Sequence, residues 1–250
     1  MKHHKEWALI KILIIHPNTT KKFIKLTKKQ FERINDTEID IVCLKKGPAT
    51  LECRVDAGFA APETIRMVAD AEQKNYDAVV INCFLDPCLW ACREVARIPV
   101  VGPGEASMLL ASSLGNKFSI VTIMRSLTAL CEASARNYGV AQKLTSVRYV
   151  DLQGAELCGK PGKAHLEPVW KECRKAVLDD GAHVIVLGCT GFGMVGLTDL
   201  LIERFRRAGM DVPIIDPLPA AVYFAKLFAS LKLSHSKLTY FLPPKKTRTV

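Results

Sequence analysis

The sequence predicts an α/β protein built as two pseudo-symmetric three-layer lobes, each on a parallel four-stranded sheet, with the active site in the cleft between them. Three observations predict it. Short apolar runs rich in β-branched residues and bounded by turn signals read as buried parallel strands, and they alternate with helical patterns. Tyr76–Leu89, YDAVVINCFLDPCL, has a near-twin in Ala182–Gly193, AHVIVLGCTGFG: an apolar run, a small or polar residue, a cysteine, then turn formers. The spacing between the twins recurs: cysteine to cysteine is 189 − 83 = 106, and first strand to first strand, Ile12 to Ser119, is 119 − 12 = 107. A third pair, Pro99 and Pro213, lies 114 apart, which places an insertion in the second half after its cysteine.

The elements follow in order. Ile10–Ile15 is a buried strand, and HPNTT behind it offers Asn18, Thr19 or Thr20 as cap for a helix beginning near Lys21. A strand at Ile39–Leu44 leads into GPATLECRVDAGFAAPE, whose small residues and weak periodicity predict a loop as far as Pro62, of the kind that serves as a lid. A helix over Pro62–Asn75 enters the first cysteine strand. Asp86 and Pro87 then read as N-cap and first-turn proline of a helix to about Ala96. A strand at Val100–Val101 and a helix over Ala106–Leu114 close the first half at Gly115.

KFSIVTIMRSLT opens the second half as IKILIIHPNTTK opens the first. A helix over Ala129–Tyr138, a strand at Val147–Val150 and a helix over Leu166–Asp180 lead to the second cysteine strand. The last helix, Ala220–Leu231, is expected to pack back on the first half. These readings divide the chain into a first lobe, 8–114 plus 216–235, a second lobe, 115–215, and a basic tail, 236–250, that looks poorly ordered.

Composition narrows the function. A net charge of +10 and a pI near 9.2 invite a nucleic-acid reading, but Lys2, Lys5, Lys245, Lys246 and Arg248 sit at the ends, and no binding motif or aromatic-basic interleaving appears. A basic pocket for an anionic or carbonyl-rich small molecule fits the charge equally well, so the expected partner is a small-molecule substrate, with no nucleic acid and no membrane, in a homo-oligomer. Nine cysteines, odd in number and irregularly spaced, indicate a reducing compartment and a cytoplasmic protein. The N-terminus mimics a signal peptide, but Lys11 interrupts its apolar run and no small-residue cleavage site follows.

Cys83 and Cys189 each sit at the carboxyl end of a strand, where open α/β sheets bind ligands. Cys83 precedes a helix N-terminus and Cys189 a Gly-rich turn, TGFGMVG, both of which favour a thiolate. One thiolate and one thiol across a bound carbon acid invert a stereocentre: the first removes a proton, and the second donates one to the opposite face. Cys43, Cys53, Cys131, Cys158 and Cys173 read as buried apolar side chains. Cys83, Cys88 and Cys92 suggest a metal cluster, but no CxxC pair or nearby histidine completes one. His16 reads equally as a general base or a polar strand end.

The motifs PNTT, GPATLE, NCFLDP, VVGPGEA, TIMRSL and LGCTGFGM, spread over Ile10 to Leu231, resemble the hydantoin and allantoin racemase branch of the aspartate/glutamate racemase superfamily. The resemblance implies two pseudo-symmetric lobes, no cofactor, and Cys83 and Cys189 as the acid/base pair; the residues themselves point to no metal. It puts Asn18, Asn82, Phe84, Thr122, Thr190 and Gly191 against the substrate. Hydantoin racemases tend to carry glycines where this chain has Leu85 and Cys88, and an asparagine where it has His16, so Leu85 is expected to narrow the pocket. The expected activity is cofactor-independent racemisation of a 5-substituted hydantoin or allantoin. An aspartate/glutamate-type racemase and a non-catalytic ligand-binding or redox-sensing relative are the rival readings, and a one-cysteine decarboxylase or isomerase is a more distant one.

Overall fold

The computed structural model describes residues 9–32, 34 and 36–247. Ala8, Lys2, Lys5 and Arg248, used in the reading above, lie outside them. The first half runs β1 (Ile10–His16), α1 (Lys22–Gln30), β2 (Thr37–Cys43), α2 (Arg54–Ala71), β3 (Ala78–Ile81), α3 (Leu89–Val95), β4 (Val100–Val101) and α4 (Pro103–Leu114). The second runs β5 (Phe118–Thr122), α5 (Thr128–Asn137), β6 (Leu144–Tyr149), α6 (Gly154–Gly159), α7 (Leu166–Leu178), β7 (Val184–Leu187), α8 (Gly191–Met194), α9 (Leu197–Arg207), β8 (Ile214–Ile215) and α10 (Pro217–Ser230). Each half forms a parallel four-stranded sheet, ordered β2-β1-β3-β4 and β6-β5-β7-β8.

The registers sharpen the repeat. Ile12 pairs with Ala78 and Phe118 with Val184, so both central strands recur at one interval, 118 − 12 = 184 − 78 = 106. Val79 pairs with Val100 and Ile185 with Ile214, so the edge strands recur at 214 − 100 = 114. The extra residues lie between β7 and β8, where the second half carries both α8 and α9. Residues of β3 and β7 are buried on both faces, as parallel strands covered by helices must be.

The helices that follow the edge strands tie the halves together. Leu218, Ala221, Val222 and Ala225 of α10 pack with Ile12, Ile14 and Val80 of the first sheet, as expected for the last helix. Reciprocally, Met108 and Ala111 of α4 pack with Phe118, Ile120, Val184 and Val186 of the second sheet. Each sheet therefore lends a helix to the other, which fixes the cleft between their carboxyl ends.

Three readings are corrected. The loop expected as far as Pro62 is helical from Arg54: Cys53 accepts from the N3 backbone, and the Asp56 carboxylate accepts from Cys53 N, so α2 is under way before Pro62 is reached. Pro62 sits inside the helix rather than at its first turn. Asp86 does not cap α3. Asp86 and Cys88 both have left-handed backbone, φ 48° and 51°, which delays α3 to Leu89 and turns the Asp86 carboxylate onto Gly104 N at 2.9 Å and Glu105 N at 2.7 Å. It thereby caps α4. Asn18, Thr19 and Thr20 likewise do not cap α1, which starts behind Lys21 without a side-chain cap.

Where it is described, the tail beyond Leu233 docks on the first half through His235 and Lys237. Lys237 Nζ donates to the carbonyls of Arg93 and Ala96, both at 2.6 Å, at the end of α3. His235 Nε2 accepts from Val100 N at 3.0 Å, covering the exposed edge of β4. No helix among the described residues is long and apolar enough to cross a membrane.

Candidate active site

β3 and β7 each end in a cysteine loop, and the two loops open on one cavity of about 70 Å³ at the carboxyl ends of both sheets. Cys83 and Cys189 both line it. The local sequence dictates this. Gly188 is forced to be glycine because a Cβ there would stand 2.8 Å from Ile120 Cγ2 and 2.9 Å from Thr122 Cβ. Thr122 Oγ1 donates to Gly188 O at 3.2 Å, pinning the turn from the neighbouring strand. Gly191, next but one, has its missing Cβ position 3.3 Å from the sulfurs of both Cys189 and Cys158.

The structure gathers Asn18, Asn82, Phe84, Leu85, Thr190 and Gly191 around this cavity with the two cysteines. Thr122 is fully buried and supports Gly188 from behind instead of lining the cavity. Sequence reasoning missed Cys158, Thr50, Leu51 and Met194, which also line it. Cys158 was read as a plain core residue, and its segment offered no motif. Thr50 and Leu51 belong to the loop expected as a lid, and the GPATLE motif held their signal. Glu52 Oε1 accepts from Gly154 N at 2.9 Å, linking this loop to α6 across the two halves.

Electrostatics corrects the thiolate expectation. Burial pushes the Cys83 thiol up to about 12, against a small opposing hydrogen bond from the Leu85 backbone. Burial raises Cys189 as well, with Cys158 adding to the rise and a Gly191 backbone hydrogen bond resisting it. Burial holds both as neutral thiols, and the helix N-termini expected to favour thiolates are poorly placed to oppose it: α3 starts only at Leu89, and α8 is one turn long. The expected basic pocket is absent too, since no lysine or arginine lines the cavity.

Two of the remaining polar residues have specific partners. Asn18 Oδ1 accepts from Thr20 N at 3.0 Å, which leaves its amide nitrogen for the cavity. His16 is buried, and burial lowers its pKa to about 4, so the imidazole is neutral. Its Nε2 lies 3.0 Å from Thr27 Oγ1. Leu85 stands between this cavity and a wider surface pocket of about 400 Å³ that Arg54, Trp90, Ser134 and Tyr138 help to line. Cys88 lines that outer pocket, and its sulfur is 3.7 Å from that of buried Cys92. Cys53, read as buried, is exposed at the start of α2, and Cys43 is half-buried.

Comparison with known proteins places this geometry. The chain is 36% identical to a hydantoin racemase of Pseudomonas sp. (strain NS671) over 95% of its length and 93% of the relative's. Among solved structures, allantoin racemase from Klebsiella pneumoniae superposes with a TM-score of 0.86 at 31% identity, over 96% of each chain. Allantoin racemase from Pseudomonas fluorescens superposes at 0.84 with 30% identity, over 96% of this chain and all of that one. Arylmalonate decarboxylase, at 16% identity and a TM-score of 0.62 over 88% of this chain and 92% of that one, shares the fold. The model of the Asp/Glu/Hydantoin racemase family matches residues 12–225, and the chain belongs to that family, in its hydantoin/allantoin racemase branch, as an isomerase of the racemase type.

Proposed function

We propose that the chain inverts the carbon stereocentre of a small cyclic ureide, a 5-substituted hydantoin or allantoin, by passing a proton between Cys83 and Cys189. One observation carries the reading: two thiols, each ending the equivalent strand of its own sheet, open on a single cavity from opposite halves. The C5 hydrogen of such a ring is acidified by the adjacent carbonyl. One sulfur, as thiolate, removes it; the electron pair moves onto the carbonyl oxygen as an enolate; the other thiol delivers its proton to the opposite face. The amide nitrogen of Asn18 is the donor left free to meet that oxygen, and proton transfer by placed groups contributes about 10²–10⁴-fold.

The lining favours a neutral ring over an amino-acid substrate. Aspartate and glutamate bring carboxylates that need cationic partners, and the cavity offers none. Its carbonyl and amide groups suit a ureide that carries both N–H and C=O.

The test is solvent deuterium incorporation at the stereocentre, followed by proton NMR in D₂O across hydantoins, allantoin, aspartate and glutamate. Exchange into the ureides alone is expected. Because both thiols are held neutral by burial, its rate rises with pH between about 7 and 9 as the thiolate fraction grows. Exchange only into the amino acids moves the substrate class to the dicarboxylates. No exchange into any of them points to a binding or thiol-redox role.

A further inference from the structure

The cavity between the two thiols is small for a whole substrate site. It measures about 70 Å³, whereas pockets that enclose small molecules begin at about 300 Å³. The surface pocket on the far side of Leu85, about 400 Å³, has the missing space.

Three stretches of chain wall both spaces in turn. Thr50 and Leu51 line the cavity, and Cys53 and Arg54, the next but one along, line the pocket. Phe84 lines the cavity, Leu85 lines both, and Cys88 lines the pocket. From the second half, Leu127 lines the cavity, while Leu130 and Ser134, one helical turn apart on α5, line the pocket. The two spaces therefore share all three walls, and the half-buried Leu85 side chain is the narrowing between them.

The outer space is apolar in its body. Leu85, Leu89, Leu130 and Ala133 line it, and beside them stands the Trp90 ring, 51% exposed. Its buried polar members are already paired with one another or with backbone: the Asp86 carboxylate accepts from Gly104 N, Glu105 N and the Tyr138 hydroxyl. Arg54 is exposed, at the start of α2. In the proposed reaction the two sulfurs take the two faces of the reacting carbon, so its substituent must leave between them. The ureide ring, with its N–H and C=O groups, matches the inner cavity that holds Asn18 and Thr190.

We propose that the outer pocket is the subsite for the substituent on the reacting carbon, reached past Leu85, and that it selects an arene, packed against Trp90 and Leu130. The inference rests on the ureide reading above and deepens it: the favoured substrates are hydantoins with an arylmethyl group at C5, ahead of allantoin, whose substituent is a polar ureido group. An arene gains from burial on an apolar, aromatic wall, and a ureido group there loses hydrogen bonds to water.

The experiment measures deuterium exchange at the stereocentre of 5-benzylhydantoin, 5-methylhydantoin and allantoin, each corrected for exchange without protein, in the parent, Trp90→Ala and Ala133→Trp. The parent is expected to favour the benzyl compound over the other two by at least about tenfold in kcat/KM. Ala133→Trp fills the pocket from α5 and brings that preference to within about twofold, and Trp90→Ala lowers it at least about threefold, both through a raised KM for the benzyl compound. Trp90 is half exposed, so its truncation opens no core cavity and decides the matter even if Ala133→Trp fails to fold.

A parent that exchanges the three substrates equally, or favours allantoin, overturns the subsite and leaves the racemase reading intact. Absence of exchange from all three sinks that reading and the subsite with it. A benzyl preference that Trp90→Ala leaves unchanged, or a loss that falls on all three substrates by the same factor, assigns these residues a structural role and overturns the subsite as well.

Discussion

The two cysteine loops occupy equivalent places and are built differently. The first, Asn82 to Leu89, is bulky and bent by two left-handed residues, Asp86 and Cys88. The second, Gly188 to Met194, is glycine-rich and coils at once into α8. A carboxylate is packed beside each, buried for Asp86 and half-buried for Asp216, but the two halves hold it from opposite sides. In the first half Asp86 sits on the cysteine loop, and Gly102 and Gly104 make room for it at the start of α4. In the second, Asp216 sits at the N-cap of α10, at the position 114 residues beyond Gly102, and Gly193 of the cysteine loop makes room. The difference teaches that the repeat preserves a contact rather than a residue. Each loop must be locked to the helix after its edge strand, and either partner can bring the charge.

The comparison is broken most severely at the sulfurs. In a two-base reaction each thiol serves one face, so Cys83→Ser and Cys189→Ser each abolish inversion, with a loss of about 10³-fold or more. They are not equivalent variants. Each retains the base for one enantiomer, so each exchanges deuterium slowly into one hand of the substrate, and the two variants choose opposite hands. Chiral chromatography after incubation in D₂O reads this out. Exchange into both hands by either variant would end the assignment of one sulfur to one face.

Next in size are the glycines that admit the carboxylates. A Cβ at Gly193 would lie 1.7 Å from Asp216 Oδ2, and one at Gly102 would lie 2.3 Å from Asp86 Oδ1. Both clashes are with hydrogen-bonded oxygens rather than loose side-chain ends. Gly193→Ala is expected to cost about 3 kcal/mol in urea unfolding, and Gly102→Ala a comparable amount. If the lock is what suffers, shortening the facing acid restores stability only for its own glycine: Asp86→Ser offsets Gly102→Ala, and Asp216→Ser offsets Gly193→Ala in part, since that Cβ also meets Gln30 Nε2 at 2.5 Å. A rescue that crossed between the halves would contradict the independence of the two locks.

How much of this was legible follows from what each signal depends on. The strands and the two cysteines were readable because burial on both faces demands unbroken apolar runs, and because the strand and cysteine intervals, 107 and 106, nearly coincide. Pro62 misled because a proline is at home in a first turn, whereas here the start is set by Cys53 and Asp56 earlier in the chain. Asp86 misled in the same way: Asp-Pro is a capping signal, but the carboxylate caps a helix that begins at Pro103, far along the chain. The thiol pKa values were misjudged because local sequence gives the nearest helix and not the desolvation of the cavity. Cys158 and Met194 reach the site only through tertiary packing, and nothing in their own segments announces it.

The smallest effects come from the two carboxylates themselves, and they separate the halves most finely. Burial raises both Asp86 and Asp216 to about 7 from an ordinary 3.8, so the folded chain keeps protons that the unfolded chain releases between those values. Stability from this source is present in full below about 4 and is lost as pH rises towards 7, by about 1 kcal/mol per pH unit for each acid. Replacement by asparagine removes that slope in either half but should differ in outcome. Asp86 meets two backbone N–H groups and the Tyr138 hydroxyl. The hydroxyl can turn to accept from an amide, but the Glu105 N–H cannot, so Asp86→Asn leaves a buried donor facing a donor and costs about 2 kcal/mol at pH 5. Asp216 Oδ2 instead meets Gln30 Nε2 at 2.8 Å and the Thr198 hydroxyl at 3.1 Å, and the other amide atom of Gln30, Oε1, is buried with no partner. In Asp216→Asn the Gln30 amide turns over, its oxygen accepts from the new amide, and the hydroxyl reorients. That variant is expected to lie within about 1 kcal/mol of the parent at pH 5 and above it in stability at pH 8, as urea midpoints at the two pH values would record. Equal destabilisation of both variants would mean that the exchanged carboxylates are held in the same way after all.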